Sequence, residues 1–377
     1  MTFEQAPAPE ATERPPLPER DRRGTLRLLL QEGGPGFAQF ALNNVCNARC
    51  GFCNFALDKL PRHDWKYVGR RGALDAVDIL YRHGVRYLVL TGGEPMLHPN
   101  IAEITRRATD LGMKVMLVTN AGLLKPHRVR ELAEAGLSSF IISVDAADAE
   151  AHEKNRGLPG VCKRIREANA LIEELGLHST ASVTMSRLVD YDALPDFLRS
   201  LGFTAVTFSY PLSELRSNFL SFSDSELVSY SKEELMACFD KIKTLKKRIT
   251  VVNPTASVED MQRFLRGEPQ RYPCLGGFQY FYLDWELDLW RCHNWDAPMC
   301  NIYEFDGSQR VRDGCTACMI DCYRDSSTMH HVGIAAHDAY QALARGQIGA
   351  AARAVVNRRT LGSLGAVLEQ MPWLLRF

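Results

Sequence analysis

Tyr87-Leu-Val-Leu90 is an unbroken apolar run, Asn100–Leu111 follows with apolar residues at helical spacing, Gly112 stops it, and Val115-Met-Leu-Val118 is apolar again. An apolar run without polar alternation is a strand buried on both faces. Gly112 stands where a left-handed C-cap favours glycine. Strand, helix and strand at this spacing form a right-handed βαβ unit with parallel strands. The rhythm extends both ways. Phe37–Leu42, Phe140–Val144, Ala181–Met185 and Ala205–Phe208 read as further strands. Gly72–Arg82, Arg128–Ala135, Val161–Leu175 and Tyr191–Leu201 read as helices, followed by Gly84, Gly136, Gly176 and Gly202. Six such units predict an α/β fold, a partial (β/α)6 barrel of the TIM type. Its chemistry would lie at the C-terminal strand ends.

The composition fits one large folded core. Of 377 residues, 46% are hydrophobic and 24% charged, which excludes a disordered chain. Lys+Arg 45 cancels Asp+Glu 45, so no global charge argues for nucleic acid as a partner. No apolar run approaches the roughly 18–20 residues of a spanning helix. Residues 1–23 are rich in proline and charge, with no apolar signal segment, and read as disordered; the expected location is the cytoplasm.

In a reducing compartment, eleven cysteines point to metal binding or catalysis before disulfides. Their placement is not scattered. Cys46-x-x-x-Cys50-x-x-Cys53 occupies one loop just after the first strand. A zinc site would want a fourth close ligand, and the nearest candidate is His63. Three thiolates with an open corner suit an iron–sulfur cluster whose fourth iron binds a small molecule. Cys162 and Cys238 lie on helices and read as core residues.

Cys46-Asn-Ala-Arg-Cys50-Gly-Phe52-Cys53 resembles the signature of radical S-adenosylmethionine (SAM) enzymes, including the aromatic residue before the last cysteine. Thr91-Gly92-Gly93-Glu94-Pro95, at the end of the second strand, resembles the GGEP segment of the same family. The resemblance covers roughly residues 36–210. It implies a [4Fe–4S] cluster on Cys46, Cys50 and Cys53 whose unique iron binds SAM. It further implies reductive cleavage to a 5′-deoxyadenosyl radical and hydrogen abstraction from an unactivated carbon. Gly92 and Gly93 would let backbone groups approach the ligand. Their oxygens and Glu94 would accept hydrogen bonds from the SAM ammonium. Asn120, Ser143, Asp145 and Arg156 follow later strands, where related enzymes supply ribose and carboxylate contacts; Arg156 would clamp the methionyl carboxylate. Ser182 and Thr184 would approach the adenosyl group.

Cys274 and Cys292 flank an expected hairpin, Phe278–Trp290, and Cys315-x-x-Cys318 and Cys322 follow. Zinc ribbons use similar spacings. The arrangement also resembles the auxiliary-cluster domains called SPASM and twitch, implying a second [4Fe–4S] cluster on Cys274, Cys292, Cys315 and Cys318, with Cys322 as an alternative ligand. The chain departs from the SPASM pattern at Leu287, where a glycine is usual. Cys300 lies outside the four-ligand set.

These readings divide the chain into residues 1–23, a barrel at 24–230, linking helices at 231–271, an auxiliary cluster domain at 272–325 and a helical tail at 326–377. The tail reads as helices packed on the barrel, with a basic amphipathic face toward membrane or lipid as the alternative. The expected activity is that of a radical SAM oxidoreductase or transforming enzyme, taking electrons from a flavodoxin or ferredoxin. The auxiliary cluster would assist an oxidation or a radical elimination. The short N-terminal stretch is no peptide-recognition domain, which favours a small molecule: a sugar, aminocyclitol or lipid-derived substrate. Tyr210 and Glu214, after the sixth strand, are the candidate catalytic groups. The alternatives are a peptide-modifying radical SAM enzyme and, in another class, a non-catalytic iron–sulfur or zinc-binding protein.

Overall fold

The computed structural model describes residues 25–211, 217–218 and 225–376. In chain order it contains α1 (Thr25–Glu32), β1 (Gly36–Ala41), α2 (Arg70–Arg82), β2 (Val85–Thr91), α3 (Ile101–Asp110), β3 (Lys114–Thr119), α4 (Pro126–Glu134), β4 (Ser139–Ser143), α5 (Ala149–Arg156), α6 (Val161–Glu174), β5 (His178–Thr184), α7 (Leu194–Ser200) and β6 (Ala205–Ser209). There follow α8 (Lys232–Leu245), β7 (Thr250–Val251), α9 (Thr255–Leu265), β8 (Tyr280–Leu283), β9 (Asp288–Trp290), β10 (Cys300–Asn301), α10 (Asp321–Ala344), α11 (Ile348–Val355) and α12 (Arg358–Leu374).

All ten strands join one sheet in the order β10-β9-β8-β1-β2-β3-β4-β5-β6-β7. The six expected strands are β1 to β6, adjacent in space as in sequence, and all parallel. The partial barrel is therefore present, and the sheet grows beyond it on both edges. β7 pairs parallel with β6, and β8 pairs parallel with β1, Phe37 opposite Tyr280 and Phe40 opposite Leu283. β9 and β10 then run antiparallel.

The expected hairpin is thus β8–β9, but it does not stand in a separate unit. All four residues of β8 are buried. A strand buried on both faces needs a paired edge, and the outer edge of β1 supplies one. At the hairpin turn, Leu287 adopts φ 67°, the left-handed conformation that the usual glycine would take without strain. The tail also begins earlier than expected, because α10 starts at Asp321 and carries Cys322 in its first turn.

α10 joins the segment after β7, at one edge of the sheet, to β8. Asp325 accepts from Asn253, just after β7, at 2.6 Å, while His330 pairs with the Tyr280 hydroxyl on β8. The tail does pack on the barrel, as expected, and it supplies the missing wall.

Beyond their strand ends, the loops after β1 and β2 continue to pair. Thr91 O accepts from Leu42 N at 2.9 Å, Asn43 O from Gly93 N at 3.0 Å, and Val45 O from Glu94 N at 2.7 Å. This approach leaves no room for side chains. A Cβ on Gly92, at φ 134°, would lie 2.3 Å from Asn43 O, and one on Gly93 would lie 2.2 Å from Val45 O. The two glycines are therefore demanded by the cysteine loop. Both also line the cavity described below, so the clasp is a second demand on them beside the expected approach of a ligand.

Gly93→Ala is expected to cost roughly 1–3 kcal/mol or more, because only backbone can yield. Gly365→Ala, on α12 with nothing within 4 Å, is expected to gain about 0.5–1 kcal/mol. Chemical denaturation of both variants checks the pair, and equal stability of the two would contradict the clasp.

Candidate functional site

One cavity of about 780 Å³ runs through the barrel, and Cys46, Cys50, Cys53 and Phe52 line it together with Gly92, Gly93, Asn120 and Arg156. Ser143, Ser182 and Thr184, at the ends of β4 and β5, line it as well. The cysteine loop follows β1 and docks on the end of α5, where Arg49 N donates to Arg156 O at 2.8 Å. Burial pushes the Cys46 thiol up to about 12 and the Cys50 thiol up to about 11, and raises Cys53 further. Three thiols held this way ionise only with positive charge beside them, the environment a metal cluster supplies.

Among the described residues no three His, Cys, Asp or Glu side chains are gathered to hold one metal ion. Ligands of a single zinc ion must all come within about 2.3 Å of one point. Thiolates that bind different corners of a cluster need not.

Asn120 Nδ2 donates to the Cys46 sulfur at 3.5 Å and to the side-chain Oδ1 of Asn47 at 2.8 Å. Hydrogen bonds to ligand sulfurs are one lever on a cluster's potential. Arg156 is buried, its Nη2 donating to Asp145 Oδ1 at 2.6 Å. Its Nε is buried without a partner. Burial alone would raise the Asp145 carboxyl, but Arg156 and His152 together hold it below its ordinary value. Asp145 is thus the anchor of Arg156 and has no place in the cavity lining. The orphaned Nε fits the carboxylate end of SAM, and the three thiols fit a cluster.

Glu94 and Pro95, expected as SAM contacts, are not among the residues that line the cavity. Glu94 is fully buried and accepts from Thr119 Oγ1 at 2.9 Å, Asn120 N at 2.8 Å and Met96 N at 3.1 Å. Burial outweighs these donors and lifts its carboxyl to about 7. The residue pins the loop after β3 to the loop after β2. Pro95 opens the short turn of 3-10 helix at Pro95–Leu97.

Tyr210 also departs from expectation. Its ring is fully buried against Phe239 at 4.9 Å, and its hydroxyl donates to Asp325 Oδ1 at 3.4 Å from behind the cavity wall. A residue one position past a strand end alternates to the outer face, and here that face is the core. Glu214 lies outside the described residues.

The second cysteine group is brought together in part. Cys274 N donates to Cys315 O at 2.8 Å. Cys292 feels the charges of Cys274 and Cys318, and Cys318 those of Cys274 and Cys315. Burial lifts Cys292 to about 12 and Cys318 to about 11. Beside them Arg324 is 1% exposed, with Nη2 on Asp260 at 2.9 Å and with Nε and Nη1 buried and unpartnered. A guanidinium in that state fits an anionic neighbour, as a thiolate-ligated cluster is. Cys322 lines the barrel cavity while packing in the same cluster as Cys274, Cys292 and Cys318 and feeling the charge of Cys274, and Cys300 on β10 has carboxylates for neighbours: Glu304, Asp288 and Asp306. Asp284 holds the hairpin turn, accepting from Trp290 Nε1 at 2.7 Å. Cys162 on α6 is buried and Cys238 on α8 half-buried, as expected of core residues.

Sequence reading missed Asp321, Asp325 and His330, all of which line the cavity from α10. Burial and repulsion by Asp325 push Asp321 up to about 8, while burial lifts Asp325 to about 6. The signal was two aspartates four apart, right after the CxxC pair, at a spacing that puts them on one helix face.

Glu94→Ala leaves three buried donors without an acceptor, at roughly 1–3 kcal/mol each. Glu94→Gln, which keeps one acceptor oxygen, is expected to lose less. Thermal melts read with SAM titrations check this. An Ala variant that melts like the parent yet loses SAM affinity would put the carboxylate in the ligand site after all.

Residues 41–201 match the model of the Radical SAM superfamily. The AdoMet-dependent heme synthase of Methanosarcina barkeri is 30% identical over 161 residues, 42% of this chain and 45% of that protein. The PqqA peptide cyclase of Rhodopseudomonas palustris is 29% identical over 163 residues, 42% and 41% of the two chains. The chain thus spans less than half the length of these curated relatives. Among solved structures, Streptococcus suis SuiB bound to S-adenosylmethionine superposes with TM-score 0.52 at 17% identity, over 68% of this chain and 60% of that one. Native anSMEcpe with bound AdoMet and Cp18Cys peptide gives 0.53 at 13% identity, over 90% and 97%. A cysteine loop clasped by a Gly-Gly-Glu turn at the C-terminal ends of parallel strands, in a segment that the family model covers, places residues 41–201 in the radical SAM superfamily.

Proposed function

We propose that this chain is a radical SAM enzyme that abstracts hydrogen from an unactivated carbon of a small-molecule substrate, with a second cluster assisting electron transfer. The supporting observation is the convergence of the three thiols, the Arg156 guanidinium and the Gly92–Gly93 backbone on one cavity. When bound, a [4Fe–4S] cluster with an open corner supplies the electron that cleaves the SAM sulfonium and releases the 5′-deoxyadenosyl radical.

The chain's own residues do the positioning. Cys46, Cys50 and Cys53 hold the cluster, and Asn120 steadies Cys46. The Arg156 Nε receives the methionyl carboxylate, while the Asp145 carboxylate fixes the guanidinium plane. Gly92 and Gly93 offer backbone oxygens to the ammonium. Phe52 covers the site against water. Ser143, Ser182 and Thr184 offer hydroxyls to the adenosyl moiety. Cys274, Cys292, Cys315 and Cys318 hold the auxiliary cluster beside Arg324. The cavity walls are mostly apolar, which favours the lipid-derived class over a sugar or an aminocyclitol. Asp321 and Asp325 are the acid–base groups nearest that substrate space. A flavodoxin or ferredoxin supplies the electron.

Peptide modification is the second reading, favoured by the match to the PqqA peptide cyclase. Deuterium transfer into 5′-deoxyadenosine, screened across labelled lipids and peptides, decides between the two.

Anaerobically reconstituted protein is expected to hold about eight irons, four per cluster. Replacing Cys46, Cys50 and Cys53 together is expected to remove about half. A triple variant that keeps its iron and still makes 5′-deoxyadenosine would refute the assignment. Replacing Cys315 and Cys318 with Ala is expected to spare SAM cleavage under dithionite and abolish product. Zinc with only one cluster's iron in the parent would instead favour a zinc ribbon.

A further inference from the structure

Eight large aliphatic side chains are exposed among the described residues, and all eight lie between Leu343 and Leu375. On α12 they form a stripe: Leu361, Leu364, Leu368 and, one residue past the helix, Leu375, with exposures of 61, 43, 59 and 78%. The spacing is helical, so one face of α12 carries them. The face turned to the protein carries small and polar residues beside Val367, Trp373 and Leu374, which line the barrel cavity. Thr360, Ser363, Ala366 and Gln370 are buried. Ser363 Oγ donates to Thr328 O on α10 at 2.6 Å, and Gln370 Nε2 to Val251 O on β7 at 3.2 Å. The leucine stripe therefore faces outward, away from the side of the helix that docks on the protein. Ile348 and Val356, at 74 and 75%, add to the apolar surface around α11. Monomeric proteins rarely leave such a group uncovered.

The charges around it are of one sign. Arg345, Arg353, Arg358, Arg359 and Arg376 are exposed, and Glu369 is the only acid from 345 to 376. Glu369 is already paired with Lys246. None of the five arginines has a carboxylate partner among the described residues. A second copy of the chain would set this face against itself across a twofold axis, arginine toward arginine. An anionic bilayer satisfies both features, taking the leucines into its interface and the guanidiniums onto its phosphates.

We propose that α11 and α12 form an in-plane docking face for an anionic membrane. The face adjoins the reaction space, since Val367 and Trp373 of the same helix line the barrel cavity. A lipid-derived substrate would enter beside it. The docking itself does not depend on the enzymatic reading.

The test is co-sedimentation of the reconstituted full chain with vesicles of phosphatidylcholine alone and of phosphatidylcholine mixed with phosphatidylglycerol. Binding is expected to the mixed vesicles, weakening as salt rises. Leu364→Ser with Leu368→Ser is expected to abolish it. Each of Arg353→Gln, Arg358→Gln and Arg359→Gln is expected to weaken it roughly fivefold. All five side chains are exposed, so circular dichroism is expected to stay unchanged. No binding to either vesicle overturns the proposal. So does binding that the leucine variant retains, or a dimer that this variant dissociates in a chain indifferent to vesicles. Iron content and SAM cleavage, measured on the same samples, report separately on the enzymatic reading.

Discussion

The backbone clasp between the loops after β1 and β2 is the constraint on which the site depends. Val45 O and Asn43 O accept from Glu94 N and Gly93 N, at distances that no Cβ would permit. That contact fixes the start of the cysteine loop relative to the strand ends. Glu94 then carries the order one strand further, because its buried carboxylate holds Thr119 and the Asn120 amide. Asn120 returns the favour by reaching Cys46. Three loops from three strands are thereby locked around one sulfur before any ligand enters, as catalytic preorganisation requires.

Buried charge is the second theme. Each cysteine group has a guanidinium beside it whose nitrogens are only partly satisfied: Arg156 with its free Nε, Arg324 with its free Nε and Nη1. Each is anchored by one buried aspartate, Asp145 and Asp260. A half-satisfied buried cation is costly alone. Next to a bound anionic cluster the same arrangement becomes favourable, so cluster loading and folding should be coupled.

The helical tail gives the fold its closed cavity. A six-stranded partial barrel leaves a side open, and α10 lies across it, bonded through Asp325 to Asn253 after β7 and through His330 to Tyr280 on β8. The tail thus contributes lining residues to the same cavity as the cysteine loop. Its outward leucines depart from the usual arrangement of a surface helix, whose apolar stripe faces the core.

The sequence by itself determined the barrel and the principal cysteine site, because both are local. Six apolar runs with glycine-terminated helices carry a βαβ topology whose handedness is nearly obligatory. Cys46, Cys50 and Cys53 sit within eight residues, so one loop must bring them together. The second cysteine group was legible as a group, and the fold sets Cys322 both in that group and on the barrel cavity. Tertiary structure alone decided the rest. Glu94 reads as a ligand contact in its motif, but its direction is set by donors 25 and 26 residues away on another strand. Tyr210 reads as pocket-facing until the core beneath β6 claims its ring. Asp321, Asp325 and His330 face the cavity only because α10 crosses the barrel's open side. The pairing of β8 with β1 joins residues more than 240 positions apart, a contact that no periodicity announces and that burial of both faces of β8 enforces.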